Sequence, residues 1–150
     1  MGHTYASLLT HCIFSTKDRA PHLTKQIAPN VFAYMGGIVR SIGGVPLLIN
    51  GVADHVHMLA SLPPTLAIAE AMRVVKANSS KWIHGQWPDQ RAFAWQNGYG
   101  AFSVSRSNQE AVLSYIAGQE EHHKTTTFQE EFLAFLERHE IEFDERYVWQ

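Results

Sequence analysis

Asp54-His55-Val56-His57-Met58-Leu59 is the segment that most narrows what this chain can fold into. On a strand, alternate side chains share one face. Val56 and Met58 then turn into a core, while His55 and His57 stand side by side on the opposite face. Two strand residues span ~7 Å between Cα atoms, which lets two imidazoles converge on one metal ion. Two polar residues on the solvated face of an antiparallel sheet give the same pattern.

The flanking pattern supplies the rest of a sheet. Residues 4–14 (TYASLLTHCIF) read as a strand, followed by a polar loop with Lys17, Asp18, Arg19 and Pro21. From Thr24 to Ile42, Val31, Met35, Ile38 and Ile42 repeat at helical spacing, Gly43-Gly44 supplies the stop, and Pro29 suits only a first turn. Residues 45–62 hold two apolar runs around Asn50-Gly51, a two-residue hairpin sequence. A second helix fits Leu66 to about Ile83, with Ile68, Met72 and Val75 on one face and Thr65 as N-cap. Residues 92–104 read as strand, interrupted by Asn97-Gly98. Ser107-Asn108-Gln109-Glu110 reads as a capping box that opens a last core helix.

Strand, helix, strand, strand, helix, strand, helix predicts an α+β chain of ferredoxin-like (RRM-like) fold. Such a fold is an antiparallel sheet with helices on one face, here extended by a C-terminal helix and tail. With 150 residues, 45% of them apolar, the chain supports one core. Residues 1–127 form that core in this reading. Residues 128–150 form an acidic tail whose Phe132, Phe135 and Leu136 fall at helical spacing, a short packed helix.

The net charge of −2 divides unevenly. Residues 128–150 carry seven acids against two bases, a net −5, which leaves +3 on residues 1–127. A mildly basic body is compatible with a polyanion partner. Lys17, Arg19, Lys76 and Arg106 are the candidate phosphate contacts, and Trp82, Trp87, Trp95 and Tyr99 are candidates for base stacking or for packing. A lone Cys12 excludes an intrachain disulfide, and no stretch reaches the ~18 apolar residues of a membrane span. The first residues, Met1-Gly2-His3-Thr4-Tyr5, lack the features of a secretory signal, so the expected location is the cytoplasm. No GxGxxG, P-loop, CxxC or GxSxG supports a nucleotide fold or a serine hydrolase.

Tyr115-Ile116-Ala117-Gly118-Gln119 lies in the last core helix. Tyr115 and Gln119 are four apart and share a face, beside a core stripe of Val112, Leu113 and Ile116. His122-His123 continues that helix, with His122 near the same face. By themselves these residues read as a half-buried packing tyrosine and a solvated helix end.

Together the segments resemble the single-tyrosine HUH transposases of small insertion sequences and their repeat-associated relatives. The resemblance runs through His11-Cys12-Ile13-Phe14-Ser15-Thr16-Lys17, Asp54-His55-Val56-His57-Met58-Leu59, Trp95-Gln96-Asn97-Gly98-Tyr99, Phe102-Ser103-Val104-Ser105 and Tyr115-Ile116 with Gln119 and His122-His123. It extends to the tail ending Phe143-Asp144-Glu145-Arg146-Tyr147-Val148-Trp149.

The resemblance implies a metal site of His55, His57 and Gln119 for Mg2+ or Mn2+, and Tyr115 as nucleophile. The tyrosine would form a 5′-phosphotyrosine with single-stranded DNA that bears hairpin ends. It also implies a homodimer with active sites shared between chains, a nucleoid-associated setting and no membrane. Two other readings compete. One is a non-catalytic single-stranded nucleic-acid-binding module of ferredoxin-like fold. The other is a structural zinc site built from His55, His57 and His122.

Overall fold

Gly51 sets the position of the hairpin that carries the histidines. In the computed structural model, which describes residues 2–150, β2 (Val45–Val52) and β3 (His55–Ser61) are joined by Ala53-Asp54. Asn50 and Gly51 are therefore strand residues, paired with His57 and Val56, and not the predicted turn. A Cβ at Gly51 would overlap the His55 carbonyl oxygen, so only glycine lets β3 approach so closely. The Asn50 amide is used elsewhere, donating to the carbonyl of Ile116 at 2.9 Å.

β1 (Leu9–Ser15) pairs antiparallel with β3 on one side and with β4 (Gly100–Val104) on the other, giving the order β2-β3-β1-β4. β4 is shorter than the 92–104 strand read from sequence. Trp95 joins the sheet through a single bridge to Thr16, packs on Phe14 and donates its indole N–H to Ser79 Oγ at 2.9 Å.

Two helices cover one face. α1 (Ala28–Ser41) has Pro29 in its first turn, and α2 (Ile68–Gln86) starts after Ala67 with no side-chain cap, so Thr65 does not cap it. Cys12, Phe14, Val56 and Met58 pack against Val31, Met35, Met72 and Val75 from these helices.

The opposite face carries Leu9, His11, Ile13, His55, His57 and Leu59, and it is not solvated. Every residue of β1 and all of β3 except Ser61 are buried. Three C-terminal helices cover this face: α3 (Gln109–Ala117), α4 (Gln119–His122) and α5 (Phe128–Arg138). Ile116 of α3 packs on Leu9 and Leu59, while Phe128, Phe132, Phe135 and Leu136 of α5 cluster with Ile13 and Phe102.

The capping box read at Ser107 does not form. Ser107 sits in a 3-10 turn (Arg106–Asn108), and Asn108 before α3 makes no side-chain cap bond. A capping box forms instead at Thr127 and Glu130, which fixes the first turn of α5. The last core helix also breaks at Gly118 (φ −90°, ψ 17°), between Tyr115 and Gln119. Among the described residues, no helix is long and apolar enough to cross a membrane.

Gly51→Val tests the hairpin geometry. Forcing side-chain atoms against the His55 carbonyl should lower unfolding free energy by about 1–3 kcal/mol or more, read as a lower urea midpoint. An unchanged midpoint would show that β2 and β3 re-register without cost.

Candidate metal and nucleophile site

The strand alternation that buries Val56 and Met58 on one side places His55 and His57 together on the other, both 0% exposed. Each ring is held through Nδ1. His55 Nδ1 donates to Asp54 Oδ1 at 2.7 Å, and His57 Nδ1 lies 2.8 Å from His11 Nε2. Both Nε2 atoms therefore aim at α5.

There they meet Glu131. In α5 the buried positions are Phe128, Glu131, Phe132, Phe135 and Leu136, so this acid occupies a core position in an otherwise apolar stripe. Its Oε1 lies 2.8 Å from His57 Nε2, 3.2 Å from His123 Nε2 and 3.3 Å from His55 Nε2. Its Oε2 accepts from the Tyr115 hydroxyl and lies 3.2 Å from His122 Nε2. The contact with His55 is electrostatic, off the line that a hydrogen bond requires, so His55 Nε2 is a buried nitrogen without a hydrogen-bond partner.

The sequence-derived residues meet here with one change of emphasis. The Tyr115 ring centroid lies 5.7 Å from that of His57, within one chain. Gln119 is fully buried, and its oxygen faces His123 Nε2 at 2.9 Å while its amide donates to the Tyr115 carbonyl at 3.2 Å. His122 lies on the Tyr115 face, 3.2 Å from its hydroxyl. His123 reaches His55, its Nδ1 donating to the Thr126 carbonyl at 2.6 Å.

Four groups offer ligand atoms within 4.8 Å of one another: His55, His57, His123 and Glu131. Three imidazole nitrogens and a carboxylate, one nitrogen unsatisfied, are a donor set that fits a divalent cation. His11 and His123 stood in segments quoted from the sequence without a role of their own, and Glu131 was counted only as an acid of the tail. The available mark was an acid inside the apolar spacing of residues 128–136.

Charge in the site is set by burial and by Glu131. Burial pushes the Glu131 carboxyl up, but the imidazoles of His123, His55 and His57 packed around it outweigh burial and hold the group well below the usual carboxylate range. Burial, reinforced by Glu131, raises the Tyr115 phenol. Burial lowers His57, while for His55 the neighbouring carboxylates of Asp54 and Glu131 overcome burial and raise it. His11 is driven down to about 3 by burial and by His57.

The candidate phosphate contacts do not form one patch. Lys17 and Arg19 follow the end of β1 that lies beside His55, and Arg19 stacks over Trp149 at 5.7 Å. Arg106 follows β4 at the opposite end of the sheet, where Leu9 pairs with Val104. Lys76 is committed to the carbonyls of Asn97 and Gly98, at 3.0 and 2.7 Å, and burial lowers its pKa to about 8. A cleft of about 700 Å3 opens next to the histidines, lined by Arg19, Asp54, His123, Lys124 and Thr127 among others.

A four-stranded antiparallel sheet with a buried histidine pair facing a helical tyrosine defines the class. The family described as "Transposase IS200 like" matches residues 4–119, and the chain belongs to that family. It is 33% identical to the transposase for insertion sequence element IS200 of Salmonella typhimurium, covering 83% of this chain and 84% of that protein. It is 24% identical to the ISDra2 transposase TnpA of Deinococcus radiodurans, covering 79% and 87%. Two solved structures share the fold. A putative transposase from Deinococcus radiodurans superposes with TM-score 0.64 at 22% identity, covering 79% of this chain and 96% of that one. A REP-associated tyrosine transposase bound to a REP hairpin superposes with TM-score 0.57 at 14% identity, covering 82% and 74%.

The neutral His11 has a pH signature in the metal-free chain. Its folded pKa of about 3 lies below the unfolded value of 6.5. The associated stability is therefore fully present above pH 6.5 and is lost as pH falls from 6.5 toward 3. His11→Gln keeps a polar partner for His57 but does not titrate. It should flatten the acid-side fall in unfolding free energy by about 2–5 kcal/mol. Parallel pH profiles for the two proteins would contradict this.

Proposed function

We propose that this transposase cleaves and rejoins single-stranded DNA at hairpin-bearing element ends, with Tyr115 as nucleophile. The observation that carries the reading is the meeting of the Tyr115 hydroxyl with the buried His55–His57 pair on one carboxylate. The phenol oxygen attacks phosphorus, the bond from phosphorus to the 3′ oxygen breaks, and that oxygen leaves as a 3′-hydroxyl after taking up a proton. The 5′-phosphotyrosine preserves the energy of the phosphodiester, so the strand can be passed to a new end without ATP.

His55 and His57 would hold a divalent cation, Mg2+ or Mn2+, with Gln119 as a third ligand once its oxygen leaves His123. Such a cation supplies Lewis-acid polarisation of a phosphate oxygen. The arrangement described is a resting one. Glu131 raises the Tyr115 pKa and fills the space between phenol and histidines, so attack requires the phenol to exchange Glu131 for phosphate. Lys17 and Arg19, at the His55 end of the sheet, are better placed than Lys76 or Arg106 to hold DNA there. The hairpin in the complex of the REP-associated relative supports hairpin ends as the substrate form.

Tyr115→Phe should fold and bind DNA yet form no covalent protein–DNA adduct, scored on a denaturing gel with single-stranded hairpin DNA and Mn2+. An adduct at wild-type level removes Tyr115 from the role. DNA binding without an adduct from the wild-type chain would favour the non-catalytic binding module.

Exchange of two ends calls for two sites, and we infer a homodimer. In this structure Tyr115 faces the histidines of its own chain, so a shared site would need α3 to leave its position. Mixed dimers of a His55→Ala, His57→Ala chain with a Tyr115→Phe chain separate the two arrangements. If the cleaving site is built within one chain, they form no adduct. Recovery of the adduct would establish sites shared between chains.

A further inference from the structure

We propose that Glu131 and His123 join His55 and His57 as ligands of a four-ligand divalent-metal site, and that incoming DNA phosphate displaces Glu131 from it. The ligand set differs from the His55, His57 and Gln119 set of the preceding section, and the displacement step rests on the function proposed there.

Three features of the chain carry the assignment. The first is orientation. His55, His57 and His123 each engage Nδ1, with Asp54, His11 and the Thr126 carbonyl respectively, and each turns Nε2 toward the same point. Asp54 and the Thr126 carbonyl can only accept, so a neutral His55 or His123 that donates from Nδ1 presents a lone pair on Nε2 to a ligand, His123 on release of its contact with Gln119 Oε1. This is the outer-shell pattern of metal-binding histidines. His11 Nε2, 2.8 Å away, can accept from His57 Nδ1 in the same way.

The second is the orphaned His55 Nε2, 0% exposed and without a hydrogen-bond partner. A ligand on that nitrogen removes a desolvation cost that nothing in the protein offsets. The third is Glu131 itself, 3% exposed on a helix stripe that is otherwise apolar. Its Oε1 already lies 2.8–3.3 Å from the three nitrogens. Ligand atoms around a tetrahedral ion with ~2.0 Å bonds are about 3.3 Å apart, so these three contacts are near ligand-to-ligand spacing, and the whole set, within 4.8 Å, needs only a small contraction around an ion.

Three imidazoles and one carboxylate, shielded from water, also accept Zn2+ or Co2+, which gives the divalent site a spectroscopic probe. With four protein ligands an incoming phosphate oxygen would compete with one of them, and Glu131 is the one whose other oxygen already binds the Tyr115 hydroxyl.

Co2+ titrated into the metal-free full-length chain tests the set. One equivalent should bind with the intense visible absorption of a four-coordinate site. Glu131→Gln, nearly isosteric, and His123→Ala should each lose most of that intensity and bind Co2+ on the order of tenfold more weakly or worse. Glu131→Asp, which keeps the charge, should retain a four-coordinate band and so guards against reading a folding defect as a ligand loss. Wild-type spectra and affinity in both Glu131→Gln and His123→Ala would overturn the proposal.

The displacement is read in Tyr115→Phe, where no cleavage can occur. Single-stranded hairpin DNA should change the Co2+ spectrum of this chain and leave that of Glu131→Gln, Tyr115→Phe nearly unaltered. A spectrum unmoved by saturating DNA overturns the displacement. The two readings fail separately. Spectra that follow the four residues, in a wild-type chain that never forms an adduct, sink the transposase chemistry alone. An adduct with wild-type spectra in the ligand variants sinks the ligand set alone.

Discussion

A single buried carboxylate organises one whole side of this molecule. Glu131 touches His55, His57 and His123 with one oxygen and Tyr115 and His122 with the other. Burying an unpaired carboxylate is strongly unfavourable, and so is crowding several imidazoles with no negative charge among them. Each cost is met by the other group, so neither half of the cluster is stable in this position alone. Docking of α5 and closure over the histidine face are therefore one event.

The rest of the second layer serves that event. Phe128, Phe132, Phe135 and Leu136 surround Glu131 with apolar contact and keep water from weakening its pairing. Gly100 leaves room for Phe132, because a Cβ there would come within 2.7 Å of its ring. Asn50, from the strand beside β3, holds the last carbonyl groups of α3 and so fixes where the helix stops before Gly118. The same sheet that packs α1 and α2 on one face thus presents a polar cluster, sealed by hydrophobic contact, on the other.

What the sequence disclosed follows from which interactions are local. The alternation around His55 and His57, the helical spacing of Val31 through Ile42 and the order of elements all act over a few residues, and they placed the sheet and the histidine pair. The hairpin turn was misplaced because Asn50-Gly51 has the composition of a tight turn. What decides the matter is the approach of the His55 carbonyl from the neighbouring strand, and a linear pattern does not hold that information. The Ser107 box failed for a related reason: the chain leaves β4 through a 3-10 turn, and the cap geometry goes to Thr127 instead. Glu131 was visible as one acid among seven in the tail. Its importance depends on the docking of α5 against strands about 75 residues away in the chain, a long-range pairing that helical periodicity does not encode. His123 was named only beside His122, because helical spacing from Tyr115 points to His122 first.

The apolar seal around Glu131 has a thermal consequence. Undocking of α5, as distinct from rotation of the Glu131 side chain, would lift the Phe128, Phe132, Phe135 and Leu136 face away from Ile13 and Phe102. Exposing such surface to water raises heat capacity, so the opening has an enthalpy and an entropy that both change with temperature. Access to the histidines by undocking is therefore governed by a curved free-energy function, with a temperature of greatest closure and easier opening on either side of it.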